Sequence, residues 1–515
     1  MAMHPKFLSR CLLFTPWQRW SDRPRADCTV GNRAIARTAS GHDRPRDWNR
    51  LTSLTASSPK TGEDVIIVAG WLARIPWWAL LLAWSAINFW QAAQLELIND
   101  EAYYWMFSRF PDWGYFDHPP MVAWWIILGS WAGGELGVRL ASLIFWTLGG
   151  WLFVHLAQPA PATAAVLWYA LLPLSSFSSF LALPDAPLCF FTLAFLYALE
   201  RYLRENTMLS GAAVAVTAAG LLYSKYHGLL IIGTAVLANL QWVRTRRFWG
   251  CALFGLLLFM PHLYWQWSHG WVSVRYHFFE RGRDYQFDWL RVAKFIGNQL
   301  VLPGLLLGPW AWTQFAKTPA ATPFERTLKA IVLVTVGFFF LSVFRTKVYW
   351  NWTNAAYLAL AVFLLRRNVH PLMGKVPATL MGISLVLLIM FRVFAALPIS
   401  GLPIAGFTAK THGWKVWTES LMKDYPECRW TANSYYVASK LSFYSGVTVP
   451  SLNIRSRPNQ FDLWELEQPY LEQEVCHLDD QQLFPGVALL TPEGRTLTLV
   501  KGSSVGTLRK MKTPF

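Results

Sequence analysis

The stretch LGVRLASLIFWTLGGWLFVHLA, residues 136–157, decides what class of protein this chain is. Arg139 is the only Lys, Arg, Asp or Glu among its 22 residues. A helix of about 20 apolar residues is long enough to cross the hydrocarbon core of a bilayer. Similar runs recur from Trp71 to Leu397, about eleven in all, so the sequence predicts an all-α polytopic membrane protein.

The predicted membrane helices share a length of about 14–25 residues and few charges. We expect them at residues 71–93, 136–157, 161–183, 186–203, 209–223, 228–243, 249–267, 290–315, 329–344, 352–365 and 376–397. Residues 121–133 are also apolar, but this run is too short to span. It predicts a juxtamembrane helix of the first outer loop, lying in the membrane interface.

The composition agrees with this class. Hydrophobic residues make up 54% of the chain and charged residues 15%, against about 25% charged in an average soluble protein. The net charge of +16 could suggest a nucleic-acid partner. We exclude one, because the basic residues lie between apolar runs rather than along one face.

The distribution of Lys and Arg predicts the orientation, because cytoplasmic loops retain positive charge. Four alternate connections carry most of these cations: Arg201, Arg204, Arg244, Arg246, Arg247, Lys317, Arg326, Lys329, Arg366 and Arg367. If they are cytoplasmic, residues 94–120 and the tail after Pro398 lie outside. We therefore expect a protein of the bacterial inner membrane whose first loop and tail are periplasmic.

Three regions are predicted. Residues 1–64 are Arg- and Ser-rich without helical periodicity, and are either a disordered segment or the product of an upstream start-codon assignment. Residues 65–397 form the membrane domain. Residues 398–515 alternate helix and strand patterns and predict a small soluble α/β domain. Its Cys428 and Cys476 are either a disulfide or two buried thiols.

The first outer loop, NDEAYYWMFSRFPDWGYFDHPP at Asn99–Pro120, is the candidate catalytic segment. It places five titratable groups, Asp100, Glu101, Asp112, Asp117 and His118, among many aromatic side chains. Single acidic residues in loops are usually solvated. Apolar surroundings, however, raise the pKa of a carboxyl and make it a better base. The grouping of these residues favours a catalytic site over a set of unrelated, solvent-exposed side chains.

Several cations violate the positive-inside pattern and lie at the predicted outer face. They are Lys225, Arg275, Arg281, Arg283, Arg291, Arg345 and Lys347. Contact with lipid headgroups could explain any one of them. Together, at the same face as the acidic loop, they predict a receptor for phosphate. A carboxylate base beside a phosphate receptor indicates glycosyl transfer from a polyprenyl-phosphate sugar.

Two further groups have open interpretations. Asp185, in PDAPL, is interpreted as a helix cap in preference to a site residue. His262, His269 and His277 point toward the same face, but their spacing matches no standard zinc pattern. A divalent metal bound by Asp117 and one of these histidines is an alternative without support, and no cofactor is predicted.

These motifs resemble the bacterial family-39-type glycosyltransferases, which are related to the protein O-mannosyltransferases and to the aminoarabinose transferase of lipid A modification. The matching pieces are DEAYYW, WGYFDHPPMVAW, PDAPL, LLYSKYHGLL, the stretch from Pro261 to Ser273, TKVYWNWTNAAYL, SYYVASKLSFYSG and RPNQFDLW. The resemblance covers about Trp71 to Trp464. It implies the C-type membrane glycosyltransferase fold with the active site on the outer face.

The resemblance also implies residue roles. Asp100 corresponds to the acceptor-activating base and Glu101 to a supporting carboxylate. Asp117, His118 and Tyr103 correspond to active-site loop positions. Relatives often have Lys at the position of His118 and Arg at that of Tyr103. We therefore assign donor-phosphate binding to a separate set: Lys225, Arg345, Lys347 and Arg275.

The function predicted is inverting transfer of a sugar from a polyprenyl-phosphate donor to a periplasmic acceptor. The acceptor would be lipid A or another glycolipid, a polysaccharide or a protein. A transporter or flippase of lipid-linked sugars is the alternative. We find no internal repeat typical of transporters, and the unusual charges gather at one face.

Overall fold

The computed structural model describes residues 75–172, 176, 179–283, 285–367, 374–397 and 405–510, all within one compact unit. The prediction for residues 1–64 falls outside the described residues. Within the described ranges the chain is mostly helical up to residue 396, and a small sheet follows.

Ten helices of the first half are described up to residue 275. They are α1 Trp77–Gln94, α2 Asn99–Arg109, α3 Met121–Gly129, α4 Gly134–Leu156, α5 Ala162–Leu171, α6 Asp185–Glu205, α7 Met208–Ser224, α8 Gly228–Leu237, α9 Arg246–Ser268 and α10 Val272–Arg275. The described helices that follow are α11 Trp289–Val301, α12 Leu307–Lys317, α13 Pro323–Ser342, α14 Asn354–Arg367 and α15 Lys375–Ala396.

Four of the described helices, α4, α6, α9 and α15, are long and apolar enough to cross a membrane. The predicted membrane class therefore holds for these segments. The number of about eleven spans and the outward orientation of the loop stay predictions. The short helix expected after Pro120 is present as α3.

The predicted single helix at residues 290–315 is wrong. The chain forms α11 and α12 instead, because Pro303 has no amide proton to donate and the next two residues have positive φ, 148° at Gly304 and 55° at Leu305. The run predicted at 161–183 also ends early. Leu172 precedes a proline and has a ψ of 108°, so α5 ends at Leu171.

Helix α14 lies at the centre of the helical bundle. Every residue from Asn354 to Leu365 is buried, as expected of a helix that is apolar on all sides. At its end, Arg366 forms an ion pair with Glu200 of α6 at 2.8 Å. The central helix is therefore fixed to its neighbours by packing along its length and by an ion pair at its end.

The tail folds into helices around a four-stranded sheet, which confirms the predicted α/β character. The strands are β1 Trp430–Ala432, β2 Glu474–Asp479, β3 Val487–Leu490 and β4 Thr496–Ser504, in the order β1-β2-β4-β3. β1 pairs with β2 in parallel and the other pairs are antiparallel. Cys428 and Cys476 form a disulfide, so of the two alternatives the bonded one is observed.

The helices of the tail are α16 Ala405–Thr411, α17 Trp414–Asp424, α18 Tyr435–Ser445, α19 Phe461–Trp464 and α20 Val505–Arg509. One hydrophobic cluster joins this domain to the first loop. It contains Tyr103 and Phe107 of α2 together with Leu441 of α18 and Phe461 of α19. The tail therefore packs directly on the candidate catalytic segment.

Candidate active site

The N-terminal turn of α2 is fixed by a buried ion pair. Glu101 and Arg139 are both fully buried, and Arg139 donates to the two carboxylate oxygens at 2.6 and 2.8 Å. The same oxygens accept the amide protons of Ile98 at 3.1 Å and Ala182 at 2.9 Å. With four donors on its carboxylate, Glu101 holds the local structure and the neighbouring cation Arg139.

Asp100, the preceding residue, has the opposite environment. Its side chain is accessible to solvent, although the surrounding protein encloses it on most sides. This enclosure raises the pKa of the carboxyl above its ordinary value of 3.8; Arg457 partly offsets the effect, and Asp117 adds to it. The carboxylate is thus both reachable and a stronger base than a free aspartate.

Asp117 lies at the centre of a network that reaches the C-terminal domain. The hydroxyl of Tyr103 donates to one carboxylate oxygen at 2.7 Å, and Arg457 donates to the other at 2.8 Å. The Tyr103 oxygen in turn accepts the amide proton of Gln460 at 2.8 Å. The Arg457 guanidinium also lies 5.4 Å from the ring centre of Tyr435. The C-terminal domain is therefore part of the site.

Arg457 and Tyr435 were not among the residues predicted for the site. Both lie in motifs quoted above, RPNQFDLW and SYYVASKLSFYSG, so a signal was present in the sequence. It was missed because the segments are more than 300 residues from the first loop, and only the tertiary packing brings them there. We call Asp100, Tyr103, Tyr104, Asp117, His118 and Arg457 the loop site.

Tyr104 lies between the carboxylates of the loop site and His118. The pKa of its phenol is well above the ordinary value, first because of burial and then because of the negative charges of Asp100, Asp117 and Asp185. It therefore stays protonated and can donate a hydrogen bond. Its ring contacts the ring of His118 edge-on, with centres 5.6 Å apart.

The predicted phosphate ligand Lys225 is buried beside Asp185. Its ammonium group lies 3.1 Å from both oxygens of the Asp185 carboxylate, which also accepts from Asn351 at 2.7 Å. The preferred interpretation of Asp185 as a helix cap is wrong. Pro184 occupies the cap position, and the Asp185 side chain turns toward Lys225 instead.

A second cation, Arg281, lies close to His118. Burial lowers the pKa of His118 well below its ordinary value, and the charges of Lys225, His277 and Arg281 lower it further. Arg281 is held 4.4 Å above the ring of Trp352. His277, 3.4 Å from Arg281, contacts the carbonyl oxygen of Asp117 at 3.0 Å. His118 is therefore neutral, and the charges of Lys225 and Arg281 act on it.

The other predicted phosphate ligands, Arg275, Arg345 and Lys347, are exposed. Within the described part of the chain their side chains make no hydrogen bond or ion pair. Lys347 lies 5.0 Å from the ring centre of Tyr349, and Arg281 lies 5.7 Å from the same ring. The structure thus brings Lys347 near Arg281, whereas Arg275 has no such link to the loop site.

The histidine-rich stretch from Pro261 to His277 forms hydrogen bonds that hold the first outer loop in place. Trp265 donates to Asp112 at 2.8 Å, and His262 contacts the carbonyl oxygen of Trp113 at 2.7 Å. A Cβ atom at Gly114 would lie 2.4 Å from the Trp265 ring, so glycine is required for this approach. Among the described residues, no group of three or more His, Cys, Asp or Glu side chains could hold a metal ion.

Known proteins resemble this chain in part of its sequence and in its fold. Residues 117–265 match the family model described as dolichyl-phosphate-mannose-protein mannosyltransferase. No curated protein matches the chain. The crystal structure of ArnT from Cupriavidus metallidurans in the apo state is 13% identical, with a TM-score of 0.58. The alignment covers 87% of this chain and 100% of that one.

A second crystal structure, of ArnT from Cupriavidus metallidurans bound to undecaprenyl phosphate, matches over the same shares of both chains. Its identity is 13% and its TM-score is 0.54. The chain therefore shares its fold with these ArnT structures. The resemblance to the mannosyltransferases predicted from the motifs is confirmed by the family model over residues 117–265, and the likeness to ArnT is one of fold.

Replacing Glu101 should destabilise this fold strongly. Glu101→Gln leaves the Arg139 charge buried without a counter-charge, which costs about 3–5 kcal/mol. We expect a large fall in the apparent unfolding midpoint of the detergent-purified protein. Glu205→Gln is the matched control, because Glu205 pairs with Arg201 at 3.0 Å on the surface, and it should leave the midpoint almost unchanged. Equal midpoints for the two variants would contradict the role given to Glu101.

Proposed function

We propose that this chain is a glycosyltransferase that moves a sugar from a polyprenyl-phosphate donor to an acceptor hydroxyl, with Asp100 as the base. The observation that carries the proposal is that negative charge acts on one of two contacting rings, Tyr104 and His118, and positive charge acts on the other. Tyr104 lies in the field of Asp100, while His118, in contact with Tyr104, lies in the field of Lys225 and Arg281. A carboxylate base and a cationic group therefore border the same loop site.

This arrangement fits a single displacement. The acceptor oxygen attacks the anomeric carbon and its proton passes to Asp100, while the bond from that carbon to the phosphate oxygen breaks. The electron pair leaves with the phosphate, whose charge the nearby cations stabilise. One displacement inverts the configuration at the anomeric carbon. Phosphate is a good leaving group, so no separate acid is required.

The donor class is supported by the comparisons. One solved structure with the same fold is described as bound to undecaprenyl phosphate, and the matching family model names dolichyl-phosphate-mannose. We therefore propose a sugar linked to a polyprenyl phosphate as the donor. The acceptor is a glycolipid such as lipid A, a polysaccharide or a protein, presented near Arg457 and Tyr435 of the C-terminal domain.

We further propose that the loop site and the C-terminal domain face the periplasm of a bacterial inner membrane. The disulfide of Cys428 and Cys476 supports this side, since disulfides persist in oxidising compartments. The loops rich in Lys and Arg, such as the one with Arg244 and Arg246, are expected to stay in the cytoplasm. This gives the same orientation of the chain in the membrane.

For the phosphate group of the donor, the geometry favours Lys225 and Arg281 over the exposed cations. Lys225 is nine-tenths buried beside Asp185, and Arg281 is held on an aromatic ring, so both are fixed in place. A pre-positioned cation loses little freedom when it binds an anion. Lys347 lies close enough to Arg281 to add charge at the rim, and Arg345 precedes it by two residues in sequence.

Removal of the base should abolish most of the activity. Asp100→Asn is expected to lower kcat by roughly 10²–10⁴-fold, because the carboxamide cannot accept the acceptor proton. The release of polyprenyl phosphate from a labelled polyprenyl-phosphate sugar, in the presence of bacterial membrane lipids, measures this. Asp424→Asn, an exposed change on α17, should retain full activity. Near-wild-type turnover by Asp100→Asn would exclude Asp100 as the base.

The pH dependence should report the environment of Asp100. The base works only when it is deprotonated, so kcat/KM rises with pH through the pKa of Asp100, which enclosure by the surrounding protein raises above 3.8. Arg457 lowers that pKa. Arg457→Gln should therefore move the acid limb to higher pH, and Arg457→Lys should largely restore it. Arg429→Gln, an exposed control in the same domain, should not move the limb. An unchanged limb in Arg457→Gln would contradict the assignment.

Donor binding should depend on Arg281. Arg281→Ala removes a charged donor of hydrogen bonds worth about 1.5–3 kcal/mol, so the KM for the lipid donor should rise roughly 10–100-fold. The KM for the acceptor should change little. Arg283→Ala, an exposed arginine two residues away, is the control. A rise confined to the acceptor KM would place the phosphate elsewhere.

A further inference from the structure

A buried polar cluster lies between α1 and α15, away from the loop site. Trp84, Asn88 and Gln91 occupy one face of α1, since they are four and three residues apart. Arg392 of α15 reaches this face. Asn88 and Gln91 are 1% and 0% exposed, Trp84 is 7% exposed and Arg392 is 2% exposed. Charged and amide groups that are buried to this extent are destabilising unless they have hydrogen-bond partners.

The partners of Arg392 within the described chain are all neutral. Its Nε donates to the side-chain oxygen of Gln91 at 2.5 Å, and its Nη1 approaches the hydroxyl of Ser176 at 3.4 Å. The guanidinium also lies 4.9 Å from the ring centre of Phe180 and 5.5 Å from that of Trp84. Among the described residues no carboxylate pairs with it, so the positive charge is not neutralised by the protein there.

The same cluster has a surplus of donors. Four N–H groups have no acceptor in the described protein: Arg392 Nη2, Gln91 Nε2, Asn88 Nδ2 and Trp84 Nε1. The orientation of Gln91 is fixed, because its oxygen accepts from Arg392. The only unpaired acceptor in this group is the Asn88 oxygen. Each orphaned donor costs about 1–3 kcal/mol when it is buried, so the cluster is costly without a ligand.

We propose that this cluster is a binding site for a small monovalent anion such as chloride. An anion beside Arg392 would neutralise its charge and accept from the orphaned donors that reach it, the Arg392 Nη2 group first. A water molecule satisfies the site less well, because its two protons need acceptors and only the Asn88 oxygen is free. The side chains of the cluster are almost completely buried, so a phosphate attached to a lipid has no access to them.

The site would stabilise the end of α1. Gln91 is followed by Ala92, whose carbonyl oxygen accepts from Arg139 at 2.7 Å, and the carbonyl oxygen of Leu95 accepts from Arg139 as well. A bound anion therefore fixes the helix turn that supports the Glu101 ion pair. This inference does not depend on the proposed sugar transfer.

The test is thermal unfolding of the full-length protein in detergent, first in sodium gluconate and then with added sodium chloride. The apparent midpoint should rise by about 2–4 °C with saturating chloride, because a ligand that binds only the folded state stabilises it. Sodium bromide should act like chloride, and a bromide-soaked crystal should show an anomalous peak beside Arg392. No halide dependence in the wild type would overturn the proposal.

Variants connect the effect to the cluster. Arg392→Gln and Asn88→Leu should lose the chloride-dependent rise, and Trp84→Phe, which removes one donor and keeps an aromatic ring, should need more chloride for it. Arg366→Gln is the control, since Arg366 has a carboxylate partner in Glu200. It should retain the full rise. If Asn88→Leu instead stabilises the protein equally with and without chloride, and Trp84→Phe keeps the wild-type chloride dependence, no anion is bound here.

Discussion

The ion pair between Glu101 and Arg139 is the interaction on which the candidate site depends. It joins the first turn of α2 to the membrane helix α4, and the arginine also binds the carbonyl oxygens at the end of α1. Both charges are removed from water, which is costly unless nearly every proton and lone pair is used. In this ion pair the protons of Arg139 and the lone pairs of Glu101 are all used. The direction in which α2 leaves the membrane helices is therefore fixed. Asp100 is the neighbouring residue, and its position follows from that direction.

Asp100 and Glu101 are neighbours in the first turn of α2, yet their carboxylates have different roles, one in reactivity and one in stability. Successive residues of a helix point about 100° apart. One side chain therefore enters the protein interior and finds Arg139, and the other faces the open side of the loop. The first has four donors on its oxygens, and the second has a raised pKa and access to solvent. The same chemical group thus supplies stability at one position and reactivity at the next.

Much of this could be predicted from the sequence, because apolar length and charge scarcity dictate membrane helices directly. The first loop was identified as the candidate site because five titratable groups lie within one short aromatic segment. What could not be predicted depends on long-range packing. Arg457 reaches Asp117 across 340 positions of sequence, and Asp185 meets Lys225 rather than capping its own helix. Neither local periodicity nor residue spacing contains that information.

The network of Asp117 and Arg457 gives the C-terminal domain a physical role at the loop site. Arg457 neutralises Asp117, and its charge also lowers the pKa of Asp100. Without the charge of Arg457, Asp117 would be uncompensated and the pKa of Asp100 would be higher. The charge of Arg457 therefore favours the ionised form of Asp100 while the domain is docked, and enclosure of the carboxyl by protein keeps its pKa above the ordinary value. The hydrophobic cluster that joins the domain to the first loop holds Arg457 within reach of Asp117.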